Sequence, residues 1–202
     1  MSFAAVTLVA DLTSRPRPAL TESDTDKGDE MSAIAATRFV VEALPQDVAT
    51  YVRENGRDPT WGHAAVTEPA TGFGPCRLCL RTFREGEWRM LFTYNSYSGV
   101  AEFPQPGPVY IHRDDCGRYD AEEFPPDLRA LKLTFEGVAE GPRVVALERT
   151  DGEGVDEAIA RVLELPEVDY VNVRNTEAGC FIARVERRAR ARPHPAMWRE
   201  RR

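Results

Sequence analysis

Apolar and polar residues alternate along much of the central chain, and the alternation predicts strands. Trp88, Met90, Phe92 and Tyr94 share one face of Trp88–Tyr94, and Arg77–Phe83 has the same strand-like character. With Arg84-Glu85-Gly86-Glu87 between them, the two runs read as a β-hairpin. Leu131, Leu133 and Phe135 alternate with Lys132 and Thr134, and Val144–Glu148 is the expected partner strand. Val168–Asn175 and Cys180–Glu186 form a second hairpin around Thr176-Glu177-Ala178-Gly179. Arg38–Ala43 and Pro108–His112 are shorter strands. Two segments have helical spacing instead. Gln46–Glu54 follows Pro45, carries Val48, Tyr51 and Val52 on one face and stops at Asn55-Gly56. Val155–Leu165 carries Val155, Ile159, Val162 and Leu163 on one face and ends at Pro166. Residues 56–74 and Asn95–Gly107 read as long loops, and Arg113–Asp127 as an acidic, turn-rich stretch. Helices alternate with strands too rarely for a doubly wound sheet. The expected fold is α+β, a largely antiparallel sheet of about seven strands with two main helices.

The ends of the chain lack such periodicity. Residues 11–30 are rich in Pro, Ser, Thr and Asp, so residues 1–36 are expected to be a disordered extension, with Met31 as an alternative start. Residues 37–187 are expected to form one α+β domain, and residues 188–202, with Pro193 and Pro195, a basic disordered tail.

Composition narrows the class. At 202 residues and 42% hydrophobic, the chain is long and apolar enough to bury a core. No apolar run reaches the roughly 18–20 residues of a membrane-spanning helix, so no membrane partner is expected. Charge is uneven: 26 basic and 33 acidic residues give −7 overall, while Arg187–Arg202 holds seven Arg and one Glu. Only Lys27 and Lys132 are lysines, a bias that points to a high-GC bacterial source. Four cysteines are too few for a disulfide scaffold. The N-terminus has no basic region before its apolar stretch, so a cytoplasmic location with reduced thiols is expected.

Three constellations carry candidate chemistry. Cys76-x2-Cys79 and His112-x3-Cys116 resemble a zinc spacing, and three thiols with one imidazole suit a tetrahedral ion. Against it, a strand through Cys76–Leu80 would place Cys76 and Cys79 on opposite faces, and no Gly follows Cys79 to turn the chain. The pattern alone therefore favours cysteines packed as small hydrophobes. Cys180, after Gly179 at a hairpin turn, or Cys76, followed by Arg77, is a candidate nucleophile or redox thiol with His112 as its base. Finally, Tyr170, Asn172 and Arg174 share one strand face. Together with Arg77, Tyr110, His112 and Cys180 they offer phenol, amide and guanidinium groups for a small polar or acidic ligand. Nucleic acid is disfavoured, because only the C-terminal tail is basic and no reader motif is present.

Gly74-Pro75-Cys76-Arg77, Gly107-Pro108-Val109-Tyr110-Ile111-His112 with Cys116, and Tyr170-Val171-Asn172-Val173-Arg174-Asn175 with Gly179-Cys180-Phe181 stand in fixed order. In these segments the chain resembles the bacterial domain-of-unknown-function family numbered 1203, from about Thr37 to about Arg187. It departs from the family pattern at Phe135, which follows Thr134 rather than an Arg. The resemblance implies a compact cytosolic bacterial domain and no particular activity. From the residues themselves, the expected function is binding of a small polar or acidic molecule. The alternatives are a structural or interaction protein with a Cys/His zinc site, and a Cys-dependent enzyme or thiol redox protein.

Overall fold

The computed structural model describes residues 39–97 and 105–188. The expected N-terminal extension, the alternative start at Met31 and nearly all of the basic tail lie outside the described residues.

The chain folds as α+β, with eight strands in two antiparallel sheets rather than one. In chain order the elements are β1 (Phe39–Glu42), α1 (Gln46–Asn55), β2 (Val66–Thr71), β3 (Glu85–Asn95), β4 (Pro106–His112), α2 (Pro126–Arg129), β5 (Lys132–Ala139), β6 (Arg143–Asp151), α3 (Val155–Glu164), β7 (Tyr170–Asn175) and β8 (Phe181–Arg187). The larger sheet has the order β1-β8-β7-β5-β6 and the smaller β2-β3-β4. No helix among the described residues is long and apolar enough to cross a membrane.

Each sheet has its own core. Leu133, Phe135, Val171, Val173, Ile182, Ala183 and Val185 of the larger sheet pack under Val155, Ala158, Ile159, Val162 and Leu163 of α3. This is the apolar stripe that the helical spacing predicts. The smaller sheet, through Met90, Phe92, Val109 and Ile111, packs with Val48, Ala49 and Val52 of α1. Helix α1 ends where Asn55-Gly56 predicts: Gly56 takes φ +63° and its N–H donates to the Val52 carbonyl at 2.9 Å.

Two expectations are corrected. The supposed loop 56–74 contains β2, which pairs with β3 from Val66↔Leu91 onward. Its Pro69 and two exposed acidic or polar neighbours hide the strand from a hydrophobicity pattern, and Pro is tolerated because β2 is an edge strand. The expected hairpin of Arg77–Phe83 with Trp88–Tyr94 does not form. Strand β3 pairs instead with β2 and β4, and residues 76–83 curl into a tight turn.

Helix α3 lies close over β5. A Cβ on Gly137 would stand 2.7 Å from Val162 Cγ1, 2.9 Å from Val168 Cγ2 and 3.0 Å from Ala146 Cβ. Gly137→Ala is therefore expected to destabilise the fold by about 1–3 kcal/mol through overpacking. Gly107→Ala, where no described residue lies within 4 Å of the added carbon and φ is not positive, should leave stability nearly unchanged. Urea unfolding of the two variants checks the contrast, and equal midpoints would contradict the close helix–sheet approach.

Candidate metal centre

The turn after β2 builds half of the site. The N–H of Cys76 donates to the Arg81 carbonyl at 2.9 Å, and the N–H of Leu80 to the Cys76 carbonyl at 2.9 Å. Outside these, Pro75 bridges Thr82, and the Phe83 N–H donates to the Gly74 carbonyl at 3.0 Å. Closing so tight a turn requires a left-handed residue, and Leu80 supplies it at φ 56°. That conformation is uncommon for a side chain with a Cβ. It overturns the argument that Cys76 and Cys79 must face opposite ways. The chain there is a knuckle, not a strand, and both thiols reach the same cluster.

The second half comes from the end of β4. His112 is its last residue, and Cys116 follows in a turn that includes Gly117 at φ +66°. Backbone pairing sets the two halves against each other. The Arg77 N–H donates to the Tyr110 carbonyl at 2.8 Å, and the His112 N–H reaches Cys76 Sγ at 3.4 Å. From α1, Arg53 donates to the carbonyls of His112 at 3.1 Å and Asp114 at 3.0 Å, and to Cys116 Sγ at 3.5 Å.

Cys76, Cys79, His112 and Cys116 thus each bring one ligand atom into a cluster whose members all lie within 4.8 Å of one another. Cys76 Sγ and Cys116 Sγ are 3.8 Å apart, and Cys79 Sγ and His112 Nδ1 3.5 Å. Zinc bonds of about 2.3 Å to sulfur and about 2.0–2.1 Å to nitrogen, at tetrahedral angles, span about 3.8 Å between two sulfurs and about 3.6 Å between sulfur and nitrogen. The two distances match those edges. All four cysteines are free thiols, Cys76 is fully buried and His112 is 7% exposed.

The electrostatics are those of a site that wants a cation. Burial opposes ionisation of Cys76, but hydrogen bonds with Cys116, Cys79 and His112 outweigh it and hold the thiol below its ordinary range. Cys116 moves the other way, raised by its hydrogen bonds to Cys76 and Cys79 and by burial. The two shifts run in opposite directions because Cys76 and Cys116 lie against each other, so ionising one disfavours ionising the other. Burial pulls His112 down, but its hydrogen bonds to Cys76 and Cys79 win and push it to about 10.

Glu87 and Arg81 stand behind the imidazole. Arg81 Nη2 donates to Glu87 Oε1 at 2.8 Å, and the Arg84 N–H donates to Oε2 at 2.8 Å. The Arg81 bond, working against burial and aided by the Arg84 N–H and His112, holds the Glu87 carboxyl down to about 2. Phe83 packs its ring 4.5 Å from that of His112. Arg53, Arg81, Phe83 and Glu87 were not singled out by the sequence. Their types are common on strands and helix ends, and only the fold places them here.

The other expected site residues fall into separate groups. Arg77 is buried: its Nε donates to the Phe181 carbonyl at 2.7 Å and its Nη1 to the Pro75 carbonyl at 2.5 Å. Burial lowers its pKa to about 10 against the attraction of Cys180 and Cys76. Tyr110 lies under the Arg89 guanidinium at 4.1 Å. Arg174 donates to Glu136 Oε2 at 2.5 Å, Ser96 Oγ at 3.2 Å, Tyr97 Oη at 3.4 Å and the Gly179 carbonyl at 3.2 Å. Its fork is engaged by the protein itself. Asn172 is fully buried, and neither its amide nitrogen nor its oxygen has a hydrogen-bond partner among the described residues. Cys180, in the β7–β8 turn, makes its contact with the Ala178 carbonyl at 3.6 Å. The partners of His112 are those of the cluster, and no contact among the described residues joins it to Cys180.

A family model described as Protein of unknown function (DUF1203) matches residues 73–187, which include all four cluster residues. No curated protein and no solved structure matches the chain.

The Arg174–Glu136 pair is mostly buried, with 14% and 17% of the side chains exposed. Arg174→Ala strands the carboxylate, and the expected loss of stability is about 3 kcal/mol. Arg174→Ala with Glu136→Leu should recover part of it. A ligand-binding Arg with no structural part would instead leave the unfolding midpoint where it was.

Proposed function

The chain belongs to the DUF1203 family, and we propose that it is a zinc protein in which Cys76, Cys79, His112 and Cys116 hold one Zn²⁺ in a closed structural site. The observation that carries this reading is the match of the 3.8 Å and 3.5 Å separations to the edges of a zinc tetrahedron. Ligand chemistry supports it. Three thiols and an imidazole suit zinc better than magnesium or calcium, which take oxygen ligands.

Four protein ligands fill a tetrahedron and leave no position for a substrate or an activated water, the mark of a structural rather than catalytic zinc. The ion would tie the knuckle to the end of β4 and the turn after it. Free cysteines this close, with two sulfurs 3.8 Å apart, suit a reducing compartment, which supports a cytosolic location.

Protein purified without a metal-affinity step should carry one zinc per chain by elemental analysis. In the native state one thiol, Cys180, should react with a thiol reagent, and the other three should appear only after a chelator is added. Cys76→Ser should lose the metal and lower the melting temperature, because zinc binding is part of the folding free energy. Metal-free protein with an unchanged melting temperature in Cys76→Ser would overturn the reading.

A further inference from the structure

His112 offers the cluster one nitrogen and turns the other away from it. Nδ1 lies 3.5 Å from Cys79 Sγ, while Nε2 lies 3.2 Å from Glu87 Oε2 and 3.0 Å from Arg81 Nη2. A metal ligand must be the neutral ring, and in a neutral ring only one of those two neighbours can bond Nε2 in a given tautomer. If Nε2 carries the proton, it donates to Glu87 and leaves Nδ1 bare for a metal. If Nε2 is bare, it accepts from Arg81, and the proton sits on Nδ1, where the metal would have to be.

The surroundings favour the first arrangement. Arg81 is already committed: Nη2 donates to Glu87 Oε1 at 2.8 Å, and Nη1 donates to Glu87 Oε2 at 3.3 Å and to the Thr82 carbonyl at 3.1 Å. The Arg84 N–H fixes Oε2 from a third direction. Glu87 is thereby held as an acceptor facing Nε2, and Arg81 is drawn toward the carboxylate rather than the ring.

We propose that Glu87 is the positioning residue of the centre, selecting the His112 tautomer that ligates through Nδ1. This rests on the zinc reading above and assigns that site its outer partner. A carboxylate on the far nitrogen of a ligating imidazole fixes ring orientation and raises ligand basicity. Arg81 acts one step further out, by holding the carboxylate.

The test uses the full chain with Zn²⁺ and Co²⁺ as probes, in competition with a chromophoric chelator. Glu87→Ala frees Arg81 to donate to Nε2, and affinity for both metals should fall by about 10- to 100-fold. Glu87→Gln keeps an acceptor oxygen and should recover most of that loss, which a merely structural role for the charge pair would not allow. Nitrogen-15 spectra of the zinc-loaded wild-type chain give a second reading that needs no variant to fold. They should show His112 with a protonated Nε2 and a metal-shifted Nδ1. Ligation through Nε2, or a Glu87→Ala affinity equal to wild type, overturns this proposal while leaving the zinc site standing. A wild-type chain that takes up neither metal overturns both.

Discussion

Three thiols brought within 4.8 Å of one another and of an imidazole cannot all ionise without a cation among them. The surrounding structure depends on how that constraint is met. The cluster is wrapped in donors: the His112 N–H on Cys76, and Arg53 on Cys116. Such donors stabilise thiolate sulfur whether its counter-charge is a proton or a metal. Arg53 reaches the cluster from the last turn of α1, so the same side chain that quiets Cys116 also fastens the helix to the end of β4. Site chemistry and tertiary packing are here one set of contacts.

The larger sheet was the more legible part of the chain. The β7–β8 hairpin and the α3 stripe follow from period and turn chemistry, because each element buries a face against a neighbour close in sequence. The smaller sheet was not, since β2 is an edge strand with exposed polar positions and carries no clear period. The four cluster residues were legible as a spacing, yet the pattern argued against them on a backbone ground. A two-state reading of strand or loop has no place for a non-glycine residue at positive φ, and Leu80 is that residue. Glu87 was read as a turn residue before Trp88. Its role depends on where β3 meets β4, which no local signal encodes.

The polar face of β7 shows what a row of residue types leaves out. Tyr170, Asn172 and Arg174 alternate with Val171 and Val173, which lie in the core. That row does not reveal what the rest of the chain brings to it. Glu136 comes from the neighbouring strand, and Ser96 and Tyr97 from the end of β3, and they occupy the guanidinium. An Arg beside an apolar strand reads the same in sequence whether its partner is a substrate or a carboxylate 38 residues away.

Why a leucine holds the left-handed position of the knuckle follows from where its neighbours go. Cys76, Leu78 and Phe83 are buried with the smaller sheet, whereas Leu80 is buried with the larger. Arg77 between them donates to the Phe181 carbonyl at the start of β8, and its own carbonyl accepts from the Leu44 N–H. The knuckle therefore sits at the joint between two cores. A glycine at position 80 would relieve backbone strain of about 1–2 kcal/mol, but it would leave a leucine-sized void in the larger core. Burying that side chain outweighs the conformational penalty, and the strained residue is held by its packing in the larger core. A metal on Cys76 and Cys79 would grip the same turn through its thiols. On that reading, the ion and the Leu80 side chain both hold the knuckle in its conformation.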